Sequence, residues 1–585
     1  MDRSWMKYYD ADTDKQLESF DGCAYEQLRR TADMYPNRRA IRYYSYSMTF
    51  GELIEAIDKT ALLMLSEGLC KGDTILLSIP NIPAFPIFFY AANKIGITCS
   101  ITSHMAKDFL FNALIAESNC KCAIISEDRA KRVGGAIKSN SCKLVIVCCI
   151  TDHLKGYSRF KTALYGRTEG LYSYGKIPET KNFKTVMWEE FYGREITAKG
   201  IDIVPEASDH AFHLNTGSAM GEHKIEIYTD HSLTSTVSII KLGLGLNDAP
   251  SVQKMALTLI SNCYSSFLSI SCHSMLCLGM EILLIPYSSP KIIAESIMKE
   301  KPNIIVAYPD MFVDFMNVIK DSSRYLRKQL SFIDIAISVG SGFPPLKRKR
   351  FEEFLNNGNC GAVIQEGYGL TECLSVCSLN PQDAPKNNSL GIPLPGVLMK
   401  IVDKSGVREV PIGQKGEICV CTPTCLKEVA DDPESTALIL KKHRDGRYWV
   451  HTGDIGHMDE DGFFFFDYSE KRCAKVGGKT VSLKVLEEIM RTIYGVSDVC
   501  VLADTDDSEE TRLIAVVVPD DRFLFDNDKL AELKEKILFE CGNVLFDYMV
   551  PSEIEYRVSI PKNGMGIVEY KKLLEDVTGK NGDAR

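Results

Sequence analysis

Up to about residue 470 the chain alternates short unbroken apolar runs with stretches of helical periodicity. Residues 74–79 (TILLSI) read as a buried strand, with a helix entry at Pro80-Asn81. Phe88, Tyr90, Ala91 and Ile95 recur at helical spacing, and a strand follows at 97–101. Residues 122–125 and 144–149 are further buried strands, separated by a helical stretch at 130–138. Strands that are apolar throughout are covered on both faces, so the pattern predicts parallel sheets covered by helices. Residues 151–200 are more polar and aromatic and read as a surface excursion. The greasiest region, Ser266 to Pro286, is interrupted by Ser269, Ser271, His273, Ser274 and Glu281. It predicts a buried helix and a strand at 282–285 rather than a membrane span.

The pattern changes after Phe463 to Phe466, which read as closing a large domain. Beyond them come a helix at 484–493, strands at 499–503 and 513–518, and a helix at 528–541. In the last helix Leu530, Leu533, Ile537 and Cys541 share a face, and Asp526 or Asn527 can cap it. The acidic loop 504–510 reads as solvated. The expected fold class is therefore α/β: a large N-terminal domain over 1–470, then a small α+β domain over 471–585, with a hinge candidate at 467–472.

A chain of 585 residues is too long for one compact core, which agrees with two domains. A hydrophobic share of 45% and a charged share of 25% are ordinary for a globular protein. The net charge of −10 argues against nucleic acid as a partner. The basic run Lys347-Arg348-Lys349-Arg350 reads as a solvated helix start. The 20 cysteines form no paired CxxC pattern. They are expected to be small buried hydrophobes in a reducing cytoplasm rather than a metal site. The N-terminus has no signal-peptide pattern, and no integral membrane segment is expected.

Two segments carry most of the chemistry. Glu366-Gly367-Tyr368-Gly369-Leu370-Thr371-Glu372 puts an aromatic, a hydroxyl and a carboxylate on a glycine-loosened turn. An aromatic face can stack on a base, a hydroxyl can reach a phosphate, and a carboxylate can hold Mg2+. Thr452-Gly453-Asp454 offers a carboxylate on a tight turn, suited to a ribose diol. Their order and spacing resemble the adenylate-forming superfamily, which includes acyl-CoA synthetases, aryl-CoA ligases and peptide-synthetase adenylation domains. The likeness covers nearly the whole chain and is nearest to stand-alone bacterial acyl-CoA synthetases. No carrier-protein segment follows Tyr570.

That resemblance implies roles, and it also exposes departures. It assigns Tyr368, flanked by Gly367 and Gly369, to adenine, Thr371 to the α-phosphate, Glu372 to Mg2+ and Asp454 to ribose. Thr216 to Lys224 falls where relatives carry a phosphate loop; Ser218, Gly221 and Lys224 are kept. Ala219 and Met220 replace hydroxyl residues, and His223 and Ile225 replace Pro and Gly, so local sequence alone reads as an ordinary turn. Ser261 stands where many relatives have a pocket His, although a buried strand end fits as well. Lys471 matches the charged hinge residue, which implies a small domain mobile about it; Ser469 replaces a nucleotide-contacting Arg, and Gly478 matches a glycine beside the thiol tunnel. A β-hairpin is the plainer reading of 471–479. In the C-terminal signature Pro561 to Tyr570, Ile567 follows Gly566 where relatives place a catalytic Lys.

The resemblance implies ATP, Mg2+ and coenzyme A as cofactors, and a carboxylic acid, fatty or other, joined to a thiol acceptor. Lys224, Thr371, Glu372 and Lys471 are the implied catalytic residues. The departures leave two alternatives open: a degenerate nucleotide- or acyl-binding protein, or an acyltransferase for the thiol half-reaction alone. Neither the identity of the acid nor the oligomeric state is legible.

Overall fold

The computed structural model describes all residues except 1–2, 11, 107, 134–140, 169–182, 198–199, 202–204, 218–222, 247–251, 287–288, 322–328, 375, 404, 470–471, 478, 506–510, 521, 524–525, 563–567 and 580–585. Two large mixed sheets dominate. In the first, Arg39–Tyr43, Glu281–Leu283, Met255–Thr258, Ile304–Ala307, Ile335–Ser338 and Ile364–Gly369 lie side by side and parallel. In the second, His210–Gly217, Thr98–Ile101, Thr74–Ser78, Cys122–Ser126, Leu144–Cys148 and Lys184–Met187 do the same. Antiparallel strands close the edges: Tyr46–Thr49, Val376–Leu379 and Ile392–Pro393 on the first, His223–Thr229 and Glu428–Val429 on the second.

Parallel strands need helical crossovers, and the helices supply the cover the apolar runs require. Ala84–Lys94 is buried from Ala84 to Asn93, apolar all round, and packs on Ala24–Met34 and Phe50–Ser66. The greasy region after Ser266 is the buried helix expected, wound over Phe267–Ser274 as a π-helix and followed by the strand Glu281–Leu283. Among the described residues no helix is long and apolar enough to cross a membrane.

Three expectations are corrected. Residues 151–200 are not only a surface excursion: Lys184–Met187 is a sheet strand, and Trp188 and Phe191 beside it are buried. The aromatics that made this segment look irregular are core residues, with Trp188 packed edge-on to Phe88 at 4.9 Å. A third sheet, antiparallel throughout, was not foreseen; it contains Leu398–Val402, Gly416–Cys421, Tyr448–Met458, Leu440–Lys442 and Phe464–Ser469. Asp504, placed in a solvated loop, is the buried partner of Arg512, 2.9 Å away across two paired strands. The rest of that loop, 506–510, lies outside the described residues.

One hydrophobic core runs from Trp5 to Phe464. Separate cores, sharing no residue with it, hold Ala474 to Cys541 and Cys500 to Leu573. The smaller C-terminal domain contains the hairpin Cys473–Val476 with Lys479–Ser482, and the three-stranded sheet Val496–Thr505, Thr511–Pro519 and Glu553–Tyr556. Its helix Asn527–Val544 is capped by Asp526, which accepts from the Lys529 amide, and buries Leu533, Ile537 and Cys541.

His273, inside the π-helix, is fully buried between Tyr90 and Gln27. Burial pushes its pKa down to about 3. The unfolded chain, with an ordinary imidazole near about 6.5, binds a proton there that the fold does not. Stability is therefore lost as pH falls from about 6.5 towards 3. His273→Asn is expected to flatten the urea midpoint across that window, and an identical pH slope in both proteins would contradict it.

Candidate active site

The Glu366 to Glu372 segment sits where the first sheet changes character. Ile364–Gly369 is parallel to Ile335–Ser338 on one side and antiparallel to Val376–Leu379 on the other. The crevice outside the carboxyl ends of parallel strands is the usual ligand position of α/β folds, and this segment leaves the carboxyl end of one such strand. The segment is a strand up to Gly369 rather than the expected turn. Gly367 is needed for close packing: a Cβ there would lie 3.1 Å from Val376 Cγ1.

The chain turns only at Thr371–Cys373, one 3-10 turn ended by Leu374 at φ +58°. Three successive carbonyls of this turn are held from outside. The Tyr228 hydroxyl shares its one proton between the Thr371 carbonyl and the Glu226 carboxylate, the latter at 2.7 Å. The Leu426 amide donates to Glu372 O at 2.9 Å, and the Thr424 hydroxyl to Cys373 O at 2.7 Å. Each such bond contributes about 1 kcal/mol net. Together they fix the backbone that carries the half-buried Thr371 and Glu372. Glu366, at the start of the motif, is braced by Arg348 Nη1 at 2.6 Å and by the Phe343 amide at 2.9 Å. The basic run is thus a helix start, within Pro345–Asn357, but Arg348 is not solvated; it is a strut under the motif.

Thr452, Gly453 and Asp454 lie within the strand Tyr448–Met458, not on a tight turn. The partner strand pairs Cys419 with His451 and Glu417 with Ile455, so three residues face one and the strand bulges. Gly453, at φ +71°, supplies the bend. Its amide donates to Glu417 Oε1 at 3.0 Å, and the Asp454 amide donates to Thr452 Oγ1 at 2.9 Å. The bulge aims Asp454 at the other motif: the Tyr368 hydroxyl donates to Asp454 Oδ2 at 2.8 Å. Burial, then the Asp454 charge, pushes the Tyr368 phenol well above its ordinary value, so Tyr368 stays a donor.

Two further groups border Asp454. Ser469 pairs with it across the strands and donates to the Gly453 carbonyl at 3.4 Å. Lys484, over the Phe466 ring at 3.9 Å, has its pKa lowered by burial while Glu488 and then Asp454 favour its charge. Lys224 lies on the strand that carries Tyr228, with its Nζ 3.0 Å from Ser435 Oγ. Ser261 lies in the loop three residues beyond the strand Met255–Thr258, and the Cys263 thiol donates to its hydroxyl at 3.4 Å. Ser218, Ala219, Met220, Gly221, Lys471, Gly478 and Ile567 lie outside the described residues.

Motif reading missed Arg348, Tyr228, Glu417 and Lys484, because their partners are distant in sequence. Only the salt-bridging types of Arg348 and Glu366 gave a signal, and not the pairing. Glu372 puts a half-buried carboxylate beside Thr371, of a kind that could meet a divalent ion, and Asp454 and Tyr368 form a joined polar and aromatic wall. The set suits a nucleotide held by base, sugar and phosphate.

Comparison with known proteins identifies the family. Over 592 aligned residues the chain is 25% identical to a long-chain-fatty-acid–CoA ligase of Salmonella typhimurium, covering 99% of both chains. It is 25% identical to the long-chain-fatty-acid–CoA ligase of Bacillus subtilis, covering 98% of both. Among solved structures, an anthranilate CoA ligase in complex with anthranoyl-AMP superposes with a TM-score of 0.76 at 16% identity, over 97% of this chain and 99% of that one. A benzoate CoA ligase from Burkholderia xenovorans LB400 superposes at 0.73 and 18% identity, over 94% and 99%. The AMP-binding enzyme profile matches residues 28–428 and the AMP-binding enzyme C-terminal domain profile matches 485–566, so the chain belongs to the AMP-binding enzyme family.

Proposed function

We propose that the chain is an ATP-dependent, AMP-forming acid–thiol ligase that makes an acyl-adenylate and passes the acyl group to coenzyme A. The observation that carries this reading is the Tyr368–Asp454 hydrogen bond, which joins the two nucleotide motifs into one wall. Full-length similarity to ligases of long-chain fatty acids favours a fatty acid as the substrate. Twenty free thiols fit a reducing, cytoplasmic setting. In this reading Tyr368, between Gly367 and Gly369, stacks on adenine and Asp454 takes the ribose hydroxyls. Thr371 bonds the α-phosphate. Glu372 would hold Mg2+, and a half-buried carboxylate on a pinned turn fits a hard oxygen-seeking ion. Ser218, Gly221 and Lys224 belong to the phosphate loop, Gly478 to the coenzyme A path.

The reaction needs little covalent chemistry from the protein. The acid's carboxylate oxygen bonds to the α-phosphorus as the bond to pyrophosphate breaks. Positioning and charge stabilisation supply the rate. The thiol sulfur then attacks the acyl carbon and AMP leaves. We place the division of labour at a hinge near Lys471, between 1–470 and 471–585, so that the smaller domain can present a different face to each half-reaction.

A second reading, nucleotide or acyl binding without adenylation, is favoured by one feature. Ile567 stands where the family's catalytic Lys is expected, and Lys562 is engaged by Asp310 at 3.2 Å and Asp498 at 3.8 Å. Pyrophosphate release from ATP across fatty, aryl and amino acids, with and without coenzyme A, separates the readings. Turnover by the wild type supports the ligase. A silent wild type with activity restored in Ile567→Lys, by on the order of 10²–10³, marks a ligase scaffold that lost its first half-reaction. Silence in both, with nucleotide bound, sinks the ligase reading.

A further inference from the structure

The third sheet gathers three metal-ligating side chains that no cysteine spacing announces. Cys419 and His451 face each other across paired strands, and His443 follows the neighbouring strand Leu440–Lys442. Their ligand atoms all lie within 4.8 Å of one another. His443 Nε2 is 3.0 Å from His451 Nε2, and Cys419 Sγ is 3.8 Å from the same His451 nitrogen. All three are closed off from solvent, at 0%, 5% and 8% exposure in that order along the chain.

The hydrogen bonding selects the tautomer of His451. Glu417 accepts from His451 Nδ1 at 2.7 Å and, through its other oxygen, from the Gly453 amide. The His451 proton is therefore on Nδ1 and the Nε2 lone pair is bare. It meets His443 Nε2, while the Cys419 sulfur lies beside the ring, 3.7 Å from Nδ1 and 3.8 Å from Nε2. A carboxylate behind a histidine is the usual outer support of a metal-bound imidazole.

We propose that Cys419, His443 and His451 bind one zinc-class divalent ion, with a water or no fourth ligand from the protein. Zn–N of about 2.0–2.1 Å and Zn–S of about 2.3 Å at tetrahedral angles separate ligand atoms by roughly 3.3–3.6 Å, between the two separations above. Binding takes the thiol proton off Cys419. The thiolate and the Glu417 carboxylate then match the ion's two charges, and Lys400, its Nζ 3.8 Å from the centre of the Trp449 ring, adds one positive charge beside them. The site is separate from Glu372, but it touches the nucleotide wall: His451, Glu417 and Gly453 form an unbroken chain of hydrogen bonds ending beside Asp454. The ion would brace the bulge.

Metal content and cobalt substitution test this on the full-length protein. After loading with zinc and desalting, the wild type retains one ion per chain. Cobalt-loaded protein shows a thiolate-to-metal charge-transfer band. Cys419→Ser abolishes the band, while Cys421→Ser, two residues on in the same strand, keeps it. Glu417→Gln keeps the ligands and weakens affinity about 10–100-fold. Absence of retained zinc and of the band in the wild type overturns the proposal, whatever the folding of the variants. A band unchanged in Cys419→Ser overturns it as well.

Discussion

Asp454→Ala is expected to raise the dissociation constant for AMP by on the order of 10²–10⁴. Hydrogen bonds to a charged group contribute about 1.5–3 kcal/mol each, and a ribose diol makes two. The carboxylate is delivered by a bulge whose backbone is tied to Glu417 and Thr452, so the substitution removes the acceptor and leaves its frame. Tyr368→Phe is the informative comparison. It keeps the aromatic face and releases Asp454 from its 2.8 Å partner. AMP affinity in Tyr368→Phe should stay within about tenfold of the wild type, since one neutral donor is lost. Calorimetric titration with AMP measures both. Equal affinity in Asp454→Ala and wild type would remove Asp454 from the sugar site.

Glu372→Ala is expected to slow pyrophosphate release by on the order of 10²–10³ at saturating Mg2+ and ATP, while AMP affinity without metal changes only a few-fold. The assay is run in whichever of wild type or Ile567→Lys turns over. Because the turn is held by its carbonyls, the truncation reports on the side chain and not on a collapsed loop. A similar loss of metal-free AMP binding would assign Glu372 a structural role instead.

The parallel sheets were legible because their strands are buried on both faces. Cys122–Ser126 and Leu144–Cys148 are apolar almost without interruption, and at five residues each they are too short for the buried helices that are equally apolar. The antiparallel third sheet was not. Gly416–Cys421 and Tyr448–Met458 mix glycine, charge and aromatic residues, with burial set by partners far along the chain. The same non-locality explains Thr452 to Asp454. A glycine at positive φ serves a turn or a bulge equally well, and only the pairing of Cys419 with His451 decides between them. Motif order brought Tyr368 and Asp454 to attention together. It could not reveal that Arg348 props Glu366, that Tyr228 holds Thr371, or that Lys484 comes near Asp454 from the smaller domain. Cysteine spacing was silent about Cys419 because antiparallel register, not sequence proximity, sets it beside two histidines.

The three tethered carbonyls of Thr371–Cys373 have an evolutionary reading. The donors that hold the turn come from Tyr228, Thr424 and Leu426, and none of them grips a side chain of the turn. Shape and reactivity at this turn are therefore inherited from different parts of the gene. A lineage can exchange the residues at positions 371 and 372, and with them its chemistry, without rebuilding the loop. The cost of drift falls elsewhere: a change at Thr424 or Tyr228, outside every recognisable motif, would displace the site while leaving its signature intact. Judging such a chain active by its motif alone overlooks the residues on which the motif depends.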